Sequence, residues 1–336
     1  MVAAGFAGFL ATGLHRVART VAQGRGVILA FHRVRPSASA AFAPNAGLEI
    51  APAFLETTLD VVAREGFALV TLDEARSRLV EGDPRPFAAL TFDDGYRDTV
   101  DVALPILERR GAPFTVYCAP GFLDRTARLW WLELEEAIRR MDRVEAGGLA
   151  LSCRTVSEKS AAFDRLYWRL RAGPESELLE AVDTLARTAG VETERLYDGL
   201  FMDWDALTAL DAHPLVTIGA HGLSHRRLAH LSADAAREEM AGSRAALESR
   251  LGVAIRHFAY PVGDSTSTGE REFALAGELG FATAVTTRPG MLFDAHDARL
   301  TALPRLSVNG RWQSAGALEA LLSGAPFWLW NRGRRA

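Results

Sequence analysis

Two stretches of the chain carry side chains suited to chemistry. "ALTFDDGYRD" (residues 89–98) is an apolar run ending in adjacent carboxylates, Asp93 and Asp94. Like charges side by side where solvent is limited disfavour ionisation of both, unless a cation offsets them. Successive residues leaving a strand point in opposite directions, so Asp94 can ligate a cation while Asp93 stays unbound beside it. "HGLSH" places His221 and His225 four residues apart, a spacing that lets two imidazoles face one point from a helical turn or a tight loop. Two histidines and one carboxylate form an open catalytic zinc set that leaves room for water and substrate. A bound cation also lowers the pKa of water toward about 7, within reach of a carboxylate base such as Asp93.

These residues need elements that bring them together. Short apolar, β-branched or aromatic runs recur, among them "GVILAFHRV", "GFALVTL", "FAALTF", "PFTVYCAP", "PLVTIGAH", "RHFAYP" and "GFATAVTT". Most are followed by stretches with helical periodicity, such as "PAFLETTLDVVAREG" and "SADAAREEMAGSRAALESRLG". Gly66, Gly111, Gly252 and Gly280 close four of these helices. Alternating β and α elements predict an α/β fold with a parallel sheet or barrel, in which function gathers at the carboxyl ends of the strands. The polar residues stand there: His32 closes "VILAF", Asp93 and Asp94 follow "AALTF", and His221 and His225 follow "LVTIGA". From about 129 to 200 the chain reads as helices without strands, an inserted helical cap. Within it Trp130 and Trp131 suit either core packing or a sugar face.

Composition narrows the function classes. Among 336 residues the apolar fraction of 49% fills a sizeable core, and a net charge of −4 gives no nucleic-acid footprint. Only Cys118 and Cys153 are present, which excludes a disulfide framework or Cys-rich zinc module and fits a reducing, cytoplasmic compartment. Residues 1–26 read as an N-terminal amphipathic helix. The tail 326–336 combines aromatics with three arginines and reads either as packed on the domain or as a peripheral membrane contact.

"TFDDGYRD", "HGLSH" and "FAYPVG", in that order, resemble the motifs of the polysaccharide deacetylase family, the NodB-homology or carbohydrate esterase family 4 group, in its permuted-motif variant. The resemblance implies a distorted (β/α)7-type barrel over 27–325 and metal-dependent removal of N-acetyl groups from an amino-sugar glycan. It further implies Asp93 as general base and Asp94, His221 and His225 as ligands of a divalent metal ion, with zinc (Zn2+) expected. Three positions depart from the motifs. Gly222 stands where a hydroxyl residue is usual. Ala259 stands where an arginine usually orients the catalytic aspartate, and Arg305 in "LPRLSV" is the candidate replacement. Val262 replaces a tyrosine whose backbone N–H would serve the oxyanion, a donor that the change leaves in place. No late Leu-x-His motif is visible, so the general acid implied is His32, from an "FH" strand end, with His296 as the fallback. O-acetyl ester hydrolysis, cyclic-amide hydrolysis and glycan binding without cleavage are the alternatives on the same barrel.

Overall fold

The computed structural model describes residues 13, 19–36 and 40–331. Twelve strands are found among them: β1 (Gly26–Phe31), β2 (Arg33–Val34), β3 (Glu49–Ile50), β4 (Ala68–Val70), β5 (Phe87–Phe92), β6 (Phe114–Cys118), β7 (Arg143–Ala146), β8 (Leu149–Ser152), β9 (Val216–Ala220), β10 (His257–Ala259), β11 (Thr283–Pro289) and β12 (Leu303–Ser307). Seven of them, in the order β1-β12-β11-β10-β9-β6-β5, are parallel neighbours, and β1 pairs with β5 to close the barrel. The short β4 pairs alongside the first half of β5, and β6 pairs along its second half. The structure is thus a distorted (β/α)7 barrel.

Strands buried on both faces are required by this architecture, and every residue of β1, β5 and β6 is buried. The period of two sorts them. Ile28, Ala89, Tyr117, Ala259, Val285 and Leu303 pack together, whereas their neighbours Val27, Leu29, Ala88 and Leu90 join the core that includes Leu55 and Leu59. The latter two belong to the helix Pro52–Arg64. Other predicted helices form at Ala233–Leu251 and Glu270–Glu278, and the four glycines expected at helix ends all have positive φ.

The insertion differs from its expected all-helical form. It contains the antiparallel hairpin β7–β8, which turns at Gly147 and Gly148 with φ +57° and +76°. Two consecutive left-handed residues match the twist of a tight hairpin, a turn that glycine makes without steric cost. The helices Trp130–Arg140, Val156–Arg171 and Glu175–Thr188 pack on the hairpin around a separate core containing Leu134, Val144, Leu166 and Val182. Trp130 and Trp131 are buried in that core.

A buried and a half-buried ion pair fasten the insertion to the barrel. Arg171 donates to Asp264 at 2.8 Å, and Arg227 to Glu175 at 2.8 Å. Burial pushes the Asp264 carboxyl up, but hydrogen bonds from Arg171 and Thr266 outweigh it and bring the group down to about 2. A depressed carboxyl pKa contributes stability above the unfolded value, and that contribution is lost as pH falls from about 4 toward 2. After allowance for partial solvent screening it amounts to about 1–2 kcal/mol. Asp264→Asn is expected to flatten the loss of stability in that window, as read by denaturant melts from pH 5 to 2; an unchanged acid slope would count against the pair.

Residues 1–12 and 14–18 of the expected N-terminal helix and 332–336 of the tail lie outside the described residues. Residues 19–22 are helical. The tail's Ala325–Trp330 helix leaves Trp328 and Trp330 exposed. No helix among the described residues is long and apolar enough to cross a membrane.

Candidate active site

Strand parity brings the polar residues together. Asp93 continues the series Ala89, Thr91; Arg305 follows Leu303; and His32 continues Ile28, Ala30. Ile28, Ala89 and Leu303 share one core cluster, so extending each strand by its period directs these side chains to the same mouth of the barrel. Asp94 has the opposite parity, but its φ of +74° turns it back. Asp tolerates this left-handed region better than most residues.

Asp94, His221 and His225 converge. Each imidazole Nε2 lies 3.3 Å from Asp94 Oδ1, and one donor atom from each of the three residues falls within 4.8 Å of the others. His221 Nδ1 contacts the Ala259 carbonyl at 2.7 Å, which places its proton on Nδ1 and leaves the Nε2 lone pair facing Asp94. Asp94 Oδ1 is buried without a hydrogen-bond partner. A buried carboxylate oxygen facing two imidazole nitrogens fits a divalent cation. His225 sits in a loop rather than a helical turn, with φ +58°.

Asp93 is held apart from that set. Arg305 grips it with two parallel bonds, Nη1 to Oδ1 at 2.7 Å and Nη2 to Oδ2 at 2.6 Å. The guanidinium is itself fixed by the Thr286 carbonyl at 2.8 Å and Thr91 Oγ1 at 3.1 Å. Both partners are almost fully buried. Burial raises the Asp93 carboxyl, and the Arg305 charge and hydrogen bonds reverse this, leaving it below its ordinary value and therefore ionised at neutral pH. Arg305 reaches Asp93 from β12, whereas the third-motif position, Ala259, offers only its carbonyl to His221.

His32 and Val262 line the same cleft as Asp93 and the three converging residues. Burial pulls the His32 imidazole below its ordinary pKa despite the opposing charges of Asp94 and Asp93. Val262 has φ +62°, an outlier for a β-branched residue that costs on the order of 1–3 kcal/mol. Thr287 Oγ1 donates to its carbonyl at 2.7 Å, and its N–H makes no hydrogen bond among the described residues. That N–H is thus available to a ligand. His296, the fallback acid, is not in this cleft: it stands on the turn Asp294–Arg299 with Nδ1 against the Phe293 backbone, beside Met291 and Phe327.

The hydroxyl missing at Gly222 is replaced by Glu239, which sequence reasoning did not identify. From the helix Ala233–Leu251 it accepts Ser224 N–H at 2.9 Å and Ser224 Oγ–H at 2.5 Å, bracing the loop between the two histidines. Gly222 has φ +74°, and an added Cβ would lie 3.1 Å from Pro261 Cγ and 3.3 Å from Glu239 Oε2. Gly222→Ser, which restores the family's usual residue type, is therefore expected to destabilise by about 1–2 kcal/mol. A thermal melt checks this; a serine variant as stable as the parent would mean the loop relaxes at no cost.

The cleft has a volume of about 440 Å³. Its walls come partly from the insertion, through Trp131, Asp164, Tyr167 and Trp168, and partly from Asn309 and Arg311 beyond β12. The spacing of Asp164, Tyr167 and Trp168 on one helix face was a readable signal, obscured by the ordinary amphipathic pattern around it.

The sequence matches the family model described as polysaccharide deacetylase over residues 81–283. No curated protein matches. Among solved structures, the fold is similar to the Streptococcus pyogenes deacetylase PplD in complex with acetate, at 18% identity and TM-score 0.59, covering 88% of this chain and 97% of that one. It is also similar to IcaB from Ammonifex degensii, at 19% identity and TM-score 0.57, covering 89% and 97%. BC0361, a polysaccharide deacetylase from Bacillus cereus, aligns at 14% identity and TM-score 0.54, covering 88% of this chain and 68% of that one.

Proposed function

Because this chain belongs to the polysaccharide deacetylase family, we propose that it is a metal-dependent hydrolase removing N-acetyl groups from an amino-sugar oligo- or polysaccharide. The observation that carries the reading is the division of labour between adjacent acids: Asp94 faces two imidazoles, while Asp93 is gripped by Arg305 in the same cleft.

Asp94, His221 and His225 would hold the cation, with zinc the expected ion. When bound, it supplies Lewis acidity toward the acetyl carbonyl and acidifies water. Asp93 takes the proton of the attacking water, and Arg305 keeps that carboxylate ionised and oriented. The free Val262 N–H donates to the oxygen that becomes negative in the transition state, where a fixed donor acts most strongly. His32 delivers a proton to the departing amine nitrogen, so that acetate and a free amino sugar leave. Burial makes that imidazolium a stronger acid toward the amine and also lowers its share at neutral pH, so this step is favoured as pH falls.

Metal analysis of the purified protein, coupled to acetate release from N-acetylated and O-acetylated amino-sugar oligomers, tests the reading. One bound metal per chain with release from the N-acetylated series is expected. Release from the O-acetylated series alone would overturn the amide assignment, and absence of both metal and acetate would overturn the hydrolase.

A further inference from the structure

The insertion contributes more than a lid over the barrel. Trp168 is 60% exposed, and of the large exposed hydrophobic side chains among the described residues it alone lines the cleft containing Asp93 and His32. Its orientation is nevertheless fixed. The Tyr167 ring meets it edge-on, with centroids 5.2 Å apart and planes at 83°, and the Arg171 guanidinium lies 5.1 Å from the ring centroid. Arg171 is in turn anchored to Asp264 at 2.8 Å and Ser267 at 3.1 Å, just past the Val262 loop. An indole held to the barrel in this way, with much of its surface open to solvent, is a prepared contact surface rather than core. One helical turn before it, Asp164 is exposed on the same cleft wall, and its carboxylate has no hydrogen bond or ion pair among the described residues.

We propose that Trp168 and Asp164 form a subsite for a pyranose ring of the glycan next to the sugar being deacetylated. A pyranose presents a face of C–H groups and a rim of hydroxyls or amines. The indole accepts the face by apolar and quadrupolar contact, and the free carboxylate accepts hydrogen bonds from the rim. The inference rests on the deacetylase reading above, and it makes the enzyme selective for chains over single sugars. Its position on the insertion makes this selectivity a property of the added segment and not of the barrel.

The test measures acetate release and calorimetric binding with N-acetylglucosamine oligomers of two to six units. The variants are Trp168→Ala, Trp168→Phe and Asp164→Asn. In the parent enzyme kcat/KM is expected to rise with chain length. Trp168→Ala should reduce the hexamer-to-dimer ratio of kcat/KM about three- to tenfold, acting through KM, with Trp168→Phe recovering most of it. Asp164→Asn should lower the ratio less. An unchanged ratio, or equal losses for dimer and hexamer, overturns the subsite. If the parent releases no acetate from any oligomer, the deacetylase reading fails and binding alone decides. Tighter hexamer than dimer binding that weakens by a similar factor in Trp168→Ala keeps the subsite; binding that is absent or indifferent to Trp168 removes it.

Discussion

Asp93→Asn is expected to lower kcat by about 10²–10⁴-fold, the range for loss of a positioned general base, while leaving metal content unchanged. The two halves of that expectation come from different contacts. Asp93 makes its hydrogen bonds to Arg305 and is not among the three converging residues, so the donor set survives the substitution. Asparagine preserves shape but is not basic, and its amide NH₂ faces a guanidinium that also donates. Arg305 is then left buried without its paired carboxylate, so a fall in stability of a few kcal/mol accompanies the loss of rate. Kinetics are therefore read at a temperature where circular dichroism shows the variant folded, with metal stoichiometry measured on the same sample. A folded Asp93→Asn enzyme with an undiminished rate would mean that another group takes the proton.

How much of this was legible in the sequence follows from what each feature depends on. The barrel strands announce themselves because burial on both faces imposes continuous apolar runs, as in β1 and β5. The site positions follow from the same strands, since residues just past their ends are placed by parity, which puts Asp93, His32 and His221 at one mouth. The Arg305–Asp93 contact spans 212 positions. Its local string "LPRLSV" shows a strand end but no partner, so only the motif analogy singled it out. Glu239 was not legible, because its carboxylate lies on a helix 15 positions beyond Ser224 and looks like one more solvated acid. The hairpin β7–β8 was missed for a different reason. Its strands are four residues each, RVEA alternating charged and apolar positions and LALS nearly all apolar, too short to separate from helix by period, although the Gly147–Gly148 pair is a recognisable turn.

The backbone adds a second kind of information. Four non-glycine residues among those described have positive φ, and three of them, Asp94, His225 and Val262, line the cleft. Such conformations cost free energy and persist only where surrounding contacts determine them. Here those contacts are identifiable: the Glu239 brace on the histidine loop and Thr287 on the Val262 carbonyl. Strain concentrated on two of the three candidate ligands and on the candidate oxyanion donor supports a common purpose for those residues.

His221→Ala is expected to abolish metal retention, and with it activity. The imidazole is nearly fully buried, so its removal deletes an Nε2 donor, the contact to the Ala259 carbonyl and a packed ring together. One imidazole and one carboxylate remain, fewer protein ligands than catalytic zinc sites ordinarily use. Metal stoichiometry should fall from about one per chain to near zero, and turnover by at least ~10²-fold, since even outer-shell losses cost 10–100-fold. Stability supplies a readout independent of turnover. A ligand at 100 times its Kd stabilises the folded state by about 2.7 kcal/mol, so added zinc should raise the melting temperature of the parent and leave His221→Ala unmoved. Chelation of the parent should reproduce the variant's melting temperature shift toward the metal-free value. Should His221→Ala retain the metal at parental stoichiometry, with the same zinc-dependent stabilisation, the cation would have to sit elsewhere and Asp94 could not be its ligand in the way the geometry suggests.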